Sequence, residues 1–166
     1  MLILGVDPGT AIMGYGVIEQ QANKLRALRY HCWRTKAHTP PEERLLTLYQ
    51  EMTELLSEIP VDQVAVEELF FNRNTTTALS VAQARGIVLL AAAQRGVPVF
   101  SYTPLQVKQA VVGYGRADKR QVQHMVKALL GLSEIPNPDD TADALAVAIC
   151  HAHSGHLGLV KKNTYF

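Results

Sequence analysis

The spacing of apolar residues along this 166-residue chain changes period several times, and each change marks an element. Leu2–Asp7 (LILGVD) is an apolar run of strand length, Pro8-Gly9-Thr10 makes a turn, and Gly14–Glu19 (GYGVIE) reads as a second strand. Lys24–Thr35 alternates well enough for a third, so the three form a meander. Thr39-Pro40-Pro41-Glu42 has the form of a capping box with prolines in the first turn. Leu45, Leu48, Met52, Leu55, Leu56 and Ile59 then follow helical spacing. Asp62–Glu68 (DQVAVEE) is a fourth strand, Thr75–Arg95 an Ala-rich helix ending near Gly96, and Val97–Tyr102 a fifth strand. Thr103-Pro104-Leu105-Gln106 is a second capping-box pattern and opens a helix ending near Gly113. Ala117–Leu130 and Asp140–His151 supply two more helices.

The order βββ-α-β-α-β-α-α-α predicts an α/β fold, a mixed five-stranded sheet with helices on both faces. That is the pattern of the ribonuclease H-like fold. With 48% apolar residues and no repeat or linker, residues 1–166 read as a single domain. The tail from about 157 to 166, ending KKNTYF, is expected to be mobile. No run of 18 apolar residues suggests a membrane span, and the first residues lack the basic segment of a signal peptide. Cys32 and Cys150 lie far apart in apolar contexts and read as reduced core residues, so a cytoplasmic protein is expected.

The net charge of +1 conceals an asymmetry. Residues 37–68 hold eight acids and the one base Arg44, whereas residues 71–130 hold eight bases and the one acid Asp118. Such a division suits a polyanionic partner, although two solvated faces of opposite sign would also produce it.

Three segments carry acids where apolar residues are expected. Asp7 ends the first strand, Glu67 and Glu68 end the fourth, and Asp139, Asp140 and Asp143 open the apolar helix DDTADALAVAI. Each has a simple structural explanation alone: Asp7 as a turn cap, a glutamate as a solvent-facing strand residue, Asp140 as a helix N-cap. Jointly these explanations weaken. Asp140 and Asp143 share a helical face, and adjacent strands would bring Asp7 beside Glu67. Crowded carboxylates need neutralising, and hard divalent cations bind such oxygens. Two ions about 3.5–4 Å apart can clamp the attacking and leaving oxygens of a phosphodiester.

The stretches GVDPGT…GYGVI, VAVEELFF, AQARG, VKQAVVG, KRQVQHMVKALLG and DDTADALAVAI together resemble the RuvC family of bacterial Holliday-junction resolvases, over nearly the whole chain. The resemblance implies a Mg²⁺-dependent endodeoxyribonuclease whose catalytic, metal-holding acids are Asp7, Glu67, Asp140 and Asp143. It implies two Mg²⁺ per site, with Mn²⁺ able to substitute. Some family members use histidine at the third acid, where this chain has Asp140; Glu68 and Asp139 are the near neighbours of the four. The implied reaction is a pair of symmetric nicks in opposing strands of a four-way DNA junction, leaving ligatable 5′-phosphate and 3′-hydroxyl ends in recombination and repair. A homodimer would supply two sites, with its interface on the Ala-rich helix. RuvA and RuvB, the branch-migration proteins, are the implied partners, and a short T-rich sequence the implied cleavage preference.

Phe70 and Phe71 are two adjacent aromatics leaving a strand beside the acids. One could stack on an unpaired base, and the resemblance favours Phe70, with Arg73 next to it for phosphate or base contact. Lys108 and Lys119 match family lysines on the DNA backbone. Between their helices, GYGRADKR adds Arg116 and Arg120 in a basic, glycine-containing connection suited to a DNA strand. His151, His153 and His156 are read as side chains near a helix C-terminus, favourable to its dipole, rather than as a metal cluster. Three rival readings are a non-catalytic junction-binding module on the same fold, an actin/Hsp70-type ATPase suggested by GVDPGT, and a related nuclease acting on RNA. The chain is short for the ATPase, which needs two such domains and a second phosphate loop.

Overall fold

The computed structural model describes residues 1–68 and 75–154. Its elements follow in the order β1 (Leu2–Asp7), β2 (Ile12–Gln21), β3 (Lys24–Arg34), α1 (Pro41–Glu58), β4 (Gln63–Glu67), α2 (Thr75–Gln94), β5 (Val99–Tyr102), α3 (Pro104–Val112), α4 (Lys119–Leu130) and α5 (Asp139–Ser154). They form one five-stranded sheet in the order β3-β2-β1-β4-β5. β1–β2 and β2–β3 are antiparallel, whereas β1–β4 and β4–β5 are parallel. The mixed sheet and its two helical layers are those expected from the element order.

β1 is apolar up to its last residue, Asp7, because both its faces are covered. Ile3 packs into a core shared with Leu145, Ile149 and Val126 under α3, α4 and α5. Leu4 and Val6 face the other way, toward Leu48, Met52, Ala84 and Val88 of α1 and α2. The α5 side is unusually close: a Cβ on Gly5 would lie 2.1 Å from the carbonyl oxygen of Ala144. Glycine on β1 and small residues on α5 thus let the helix rest directly on the centre of the sheet. Cys32 and Cys150 are buried and unpaired, as expected. Among the described residues no helix is long and apolar enough to cross a membrane.

Several boundaries differ from expectation for physical reasons. Thr39 does not cap α1; the N-cap is Pro40, with no side-chain cap bond, and the Thr39 hydroxyl donates instead to the Lys36 carbonyl. Pro41 disfavours helical geometry in the residue before it, so Pro40 stays extended (ψ 143°) and the frame starts one residue later. α4 begins at Lys119 rather than Ala117, because Asp118 and Gln121 form a capping box of their own. The box at Thr103 and Gln106, and the left-handed Gly113 that ends α3, are as expected. α5 runs from Asp139 to Ser154, longer at both ends than the expected 140–151. The expected mobile tail at 157–166 lies outside the described residues.

Candidate active site

Four elements bring the acids together. Val6 pairs with Val66 across the parallel β1–β4 ladder, so the next residues, Asp7 and Glu67, end the two strands side by side. On its other flank Asp7 pairs with Gly14 of β2. A Cβ at Gly14 would stand 2.0 Å from the carbonyl oxygen of Asp140, so the first turn of α5 sits directly over this corner of the sheet. Asp140 is inside that turn rather than at its N-cap, and Asp143 follows on the same side.

The electrostatics record the crowding. Burial, then the charges of Asp143, Glu67 and Asp140, push the Asp7 carboxyl up to about 8, with Lys119 opposing. Burial and Asp143 push Glu67 up to about 7, against the pull of Lys108 and Lys119. Burial also raises Asp143, although its bond to Lys119 offsets part of the effect. Glu67 and Asp143 line a cavity of about 220 Å³ together with Lys108, Lys119, Val107 and Val122. Glu67 rather than Glu68 faces this space; the backbone N–H of Glu68 instead donates to the Tyr102 carbonyl at 2.8 Å.

Lys119 is paired with two acids. Its Nζ lies 3.1 Å from Asp143 Oδ2 and 3.2 Å from Asp139 Oδ2, bridging the start of α4 to the start of α5. Gln123, one helical turn on, donates to Asp139 Oδ1 at 2.8 Å. These bonds hold the exposed Asp139 carboxyl below the usual carboxylate range. Gln123 was not foreseen, since its pairing depends on how α4 docks against α5 and leaves no local signal.

Of the basic residues singled out in the sequence, Lys108 and Lys119 therefore reach the acids. Arg116 and Arg120 are exposed around the start of α4. Phe70 and Arg73 lie outside the described residues. Arg85, one of the eight bases in the basic segment, is buried and donates to Ser101 Oγ at 2.8 Å, so it belongs to the core. The reading of His151 as a dipole partner is corrected. It is buried and bonded through Nδ1 to the Tyr102 hydroxyl at 2.6 Å and through Nε2 to Gln63 Oε1. Burial pushes its imidazole down to about 4, so it is neutral in the core. Its helical spacing from Ala144, Val147 and Ala148 was the available signal.

Among the described residues no three His, Cys, Asp or Glu side chains already stand at common ligand spacing. The donor set nevertheless fits a hard divalent cation. It is all carboxylate oxygen, and two of its members are buried enough to hold protons near neutrality unless a positive charge compensates them.

A family model described as crossover junction endodeoxyribonuclease RuvC matches residues 3–151. The crossover junction endodeoxyribonuclease RuvC of Desulfitobacterium hafniense is 72% identical over 157 residues, covering 95% of each chain. That of Pelotomaculum thermopropionicum is 61% identical over 153 residues, 92% of this chain and 93% of the relative. The solved structure of T. thermophilus RuvC in complex with Holliday junction substrate superposes with a TM-score of 0.92 at 42% identity, covering 98% of this chain and 99% of that one. The yeast mitochondrial Holliday junction resolvase Ydc2, 12% identical with a TM-score of 0.64, shares the fold.

Proposed function

The chain belongs to the RuvC family, and on that footing we propose that it is a crossover junction endodeoxyribonuclease that resolves four-way DNA junctions by metal-dependent hydrolysis of phosphodiester bonds. The observation that carries this reading is the convergence of Asp7, Glu67, Asp140 and Asp143 at the ends of β1 and β4 and the first turn of α5. Burial, reinforced by the charges of neighbouring acids, raises Asp7 and Glu67 far above ordinary carboxylates.

These four acids hold the metal, Mg²⁺ with two ions per site, and Mn²⁺ substitutes. Bound there, divalent cations lower the pKa of an attacking water and stabilise charge on the leaving 3′-oxygen. The chain's own residues do the rest. Asp7 and Glu67, deprotonated, would hold the cation. Asp143, paired with Lys119 in its absence, would hold it with them. Lys108 and Lys119, on the wall of the cavity, meet phosphate, while Arg116 and Arg120 track the flanking backbone. Phe70 stacks on an unpaired base beside the cut, with Arg73 next to it.

A junction needs two symmetric cuts, and the proposed molecule is a homodimer. Leu79 and Leu90 of α2 are 66% and 51% exposed, and with Gln83 and Gly86 they form one stripe along the helix. The opposite side of α2, with Ala84, Val88 and Ala91, is buried in the core. A second copy covering the stripe supplies the second active site. RuvA and RuvB are the proposed partners, and the cytoplasm the proposed location.

Asp7→Asn separates the roles. It is expected to abolish cleavage of a synthetic four-way junction in Mg²⁺ while keeping junction binding in a gel-shift assay. Retained cleavage would remove Asp7 from the chemistry, and loss of binding together with cleavage would point to a structural role.

A further inference from the structure

Asp139 is not one of the four acids, yet it makes two of the bonds at the mouth of the site. Oδ2 receives Lys119 Nζ at 3.2 Å and Oδ1 receives Gln123 Nε2 at 2.8 Å. Lys119 and Gln123 are four apart on α4, so one face of that helix grips the first residue of α5. Asp139 is 61% exposed and Lys119 52%, whereas Asp143, the other partner of the ammonium at 3.1 Å, is 34% exposed. The lysine therefore bridges an outer acid and an inner one.

This geometry has a consequence for metal loading. A divalent cation on Asp143 competes for the carboxylate that Lys119 now touches, and repels the ammonium. A lysine with Asp143 as its only partner would swing into water on its four-carbon stem. We propose that Asp139 is a positioning residue for Lys119, retaining its ammonium at the mouth of the site when a cation takes Asp143. The inference rests on the metal-site reading above. Lys119 then stays where an incoming phosphodiester meets it, and no new ordering of the side chain is needed once DNA arrives. Gln123 fixes the Asp139 carboxylate in turn, so the arrangement is held from the α4 side.

The test follows the reactivity of the Lys119 amine, not turnover. Full-length protein without DNA is acetylated with a limiting amine reagent in EDTA and in saturating Mn²⁺, and modification at Lys119 is timed by mass spectrometry. Mn²⁺ occupancy is followed separately by electron paramagnetic resonance, with Asp7→Asn as the control that should lose it. Asp139→Asn is the informative variant, because its side-chain oxygen still accepts from Gln123 while the charge is gone. In the wild type, Lys119 should react slowly in both conditions. In Asp139→Asn it should stay slow in EDTA, where Asp143 holds it, and react up to about fivefold faster in Mn²⁺, the scale of a half-exposed ion pair. A wild-type Lys119 freed by Mn²⁺, or a variant whose reactivity ignores Mn²⁺, overturns the proposal while leaving the metal site intact. Absence of Mn²⁺ binding by the wild type overturns the proposal and the metal reading beneath it together.

Discussion

Gly14 and Asp140 meet so closely that a Cβ on the glycine would stand 2.0 Å from the aspartate carbonyl oxygen. Gly14 is also the β2 partner of Asp7. One missing methyl group thus sets how near the acids of α5 come to the acid of β1.

Gly14→Ala must push the first turn of α5 outward or distort β2. Overpacking of this kind costs about 1–3 kcal/mol. Denaturant unfolding should show that loss, and Mn²⁺ affinity should fall as Asp140 and Asp143 retreat from Asp7. A variant with unchanged stability and affinity would mean that α5 does not rest on Gly14.

The acid cluster gives a pH dependence of known sign in EDTA. The Asp7 carboxyl is raised from 3.8 to about 8, so its contribution to stability is complete below pH 4 and is lost as pH rises through about 8. Glu67, raised from 4.5 to about 7, acts in the same direction. Asp7→Asn removes the larger share, so in EDTA the variant should melt above the wild type at pH 8 and converge with it near pH 4. A variant melting lower at pH 8 would show that ionised Asp7 is stabilised rather than strained.

These acids were legible because they contradict their surroundings: a carboxylate at the end of LILGVD or VAVE makes little sense as packing alone. The alternation of elements pointed to a mixed five-stranded sheet, and adjacent strands in such a sheet bring Asp7 beside Glu67. What could not be read was tertiary. The bridge from Lys119 to Asp139 and Asp143 joins residues 20 and 24 apart through the docking of two helices. The start of α1 was misplaced for a local reason, the restriction that Pro41 imposes on Pro40.

His151 provides a check on the other end of α5. Its imidazole is lowered from 6.5 to about 4, so its contribution to stability is present above pH 6.5 and is lost as pH falls through about 4. Nitrogen NMR should find the ring neutral at pH 5, protonated on the nitrogen facing Gln63 and accepting from Tyr102 through Nδ1. A ring that titrates near 6.5 would contradict the buried network.

Leu90→Arg places a charge at the C-terminal end of the exposed stripe on α2. Light scattering should report a dimer for the wild type and a monomer for the variant, with the circular dichroism spectrum preserved. Junction nicks, where they persist, should lose their pairing. A dimer unaffected by the charge would move the interface off this helix.

The most direct test of the account is cleavage of a synthetic four-way junction end-labelled on each strand in turn, with Mg²⁺ and with EDTA. The account predicts paired nicks at symmetric positions in opposing strands, sealable by ligase, that appear only with Mg²⁺. Tight junction binding without a nick in Mg²⁺ or Mn²⁺, across several junction sequences, would contradict it and leave a binding module on a nuclease fold.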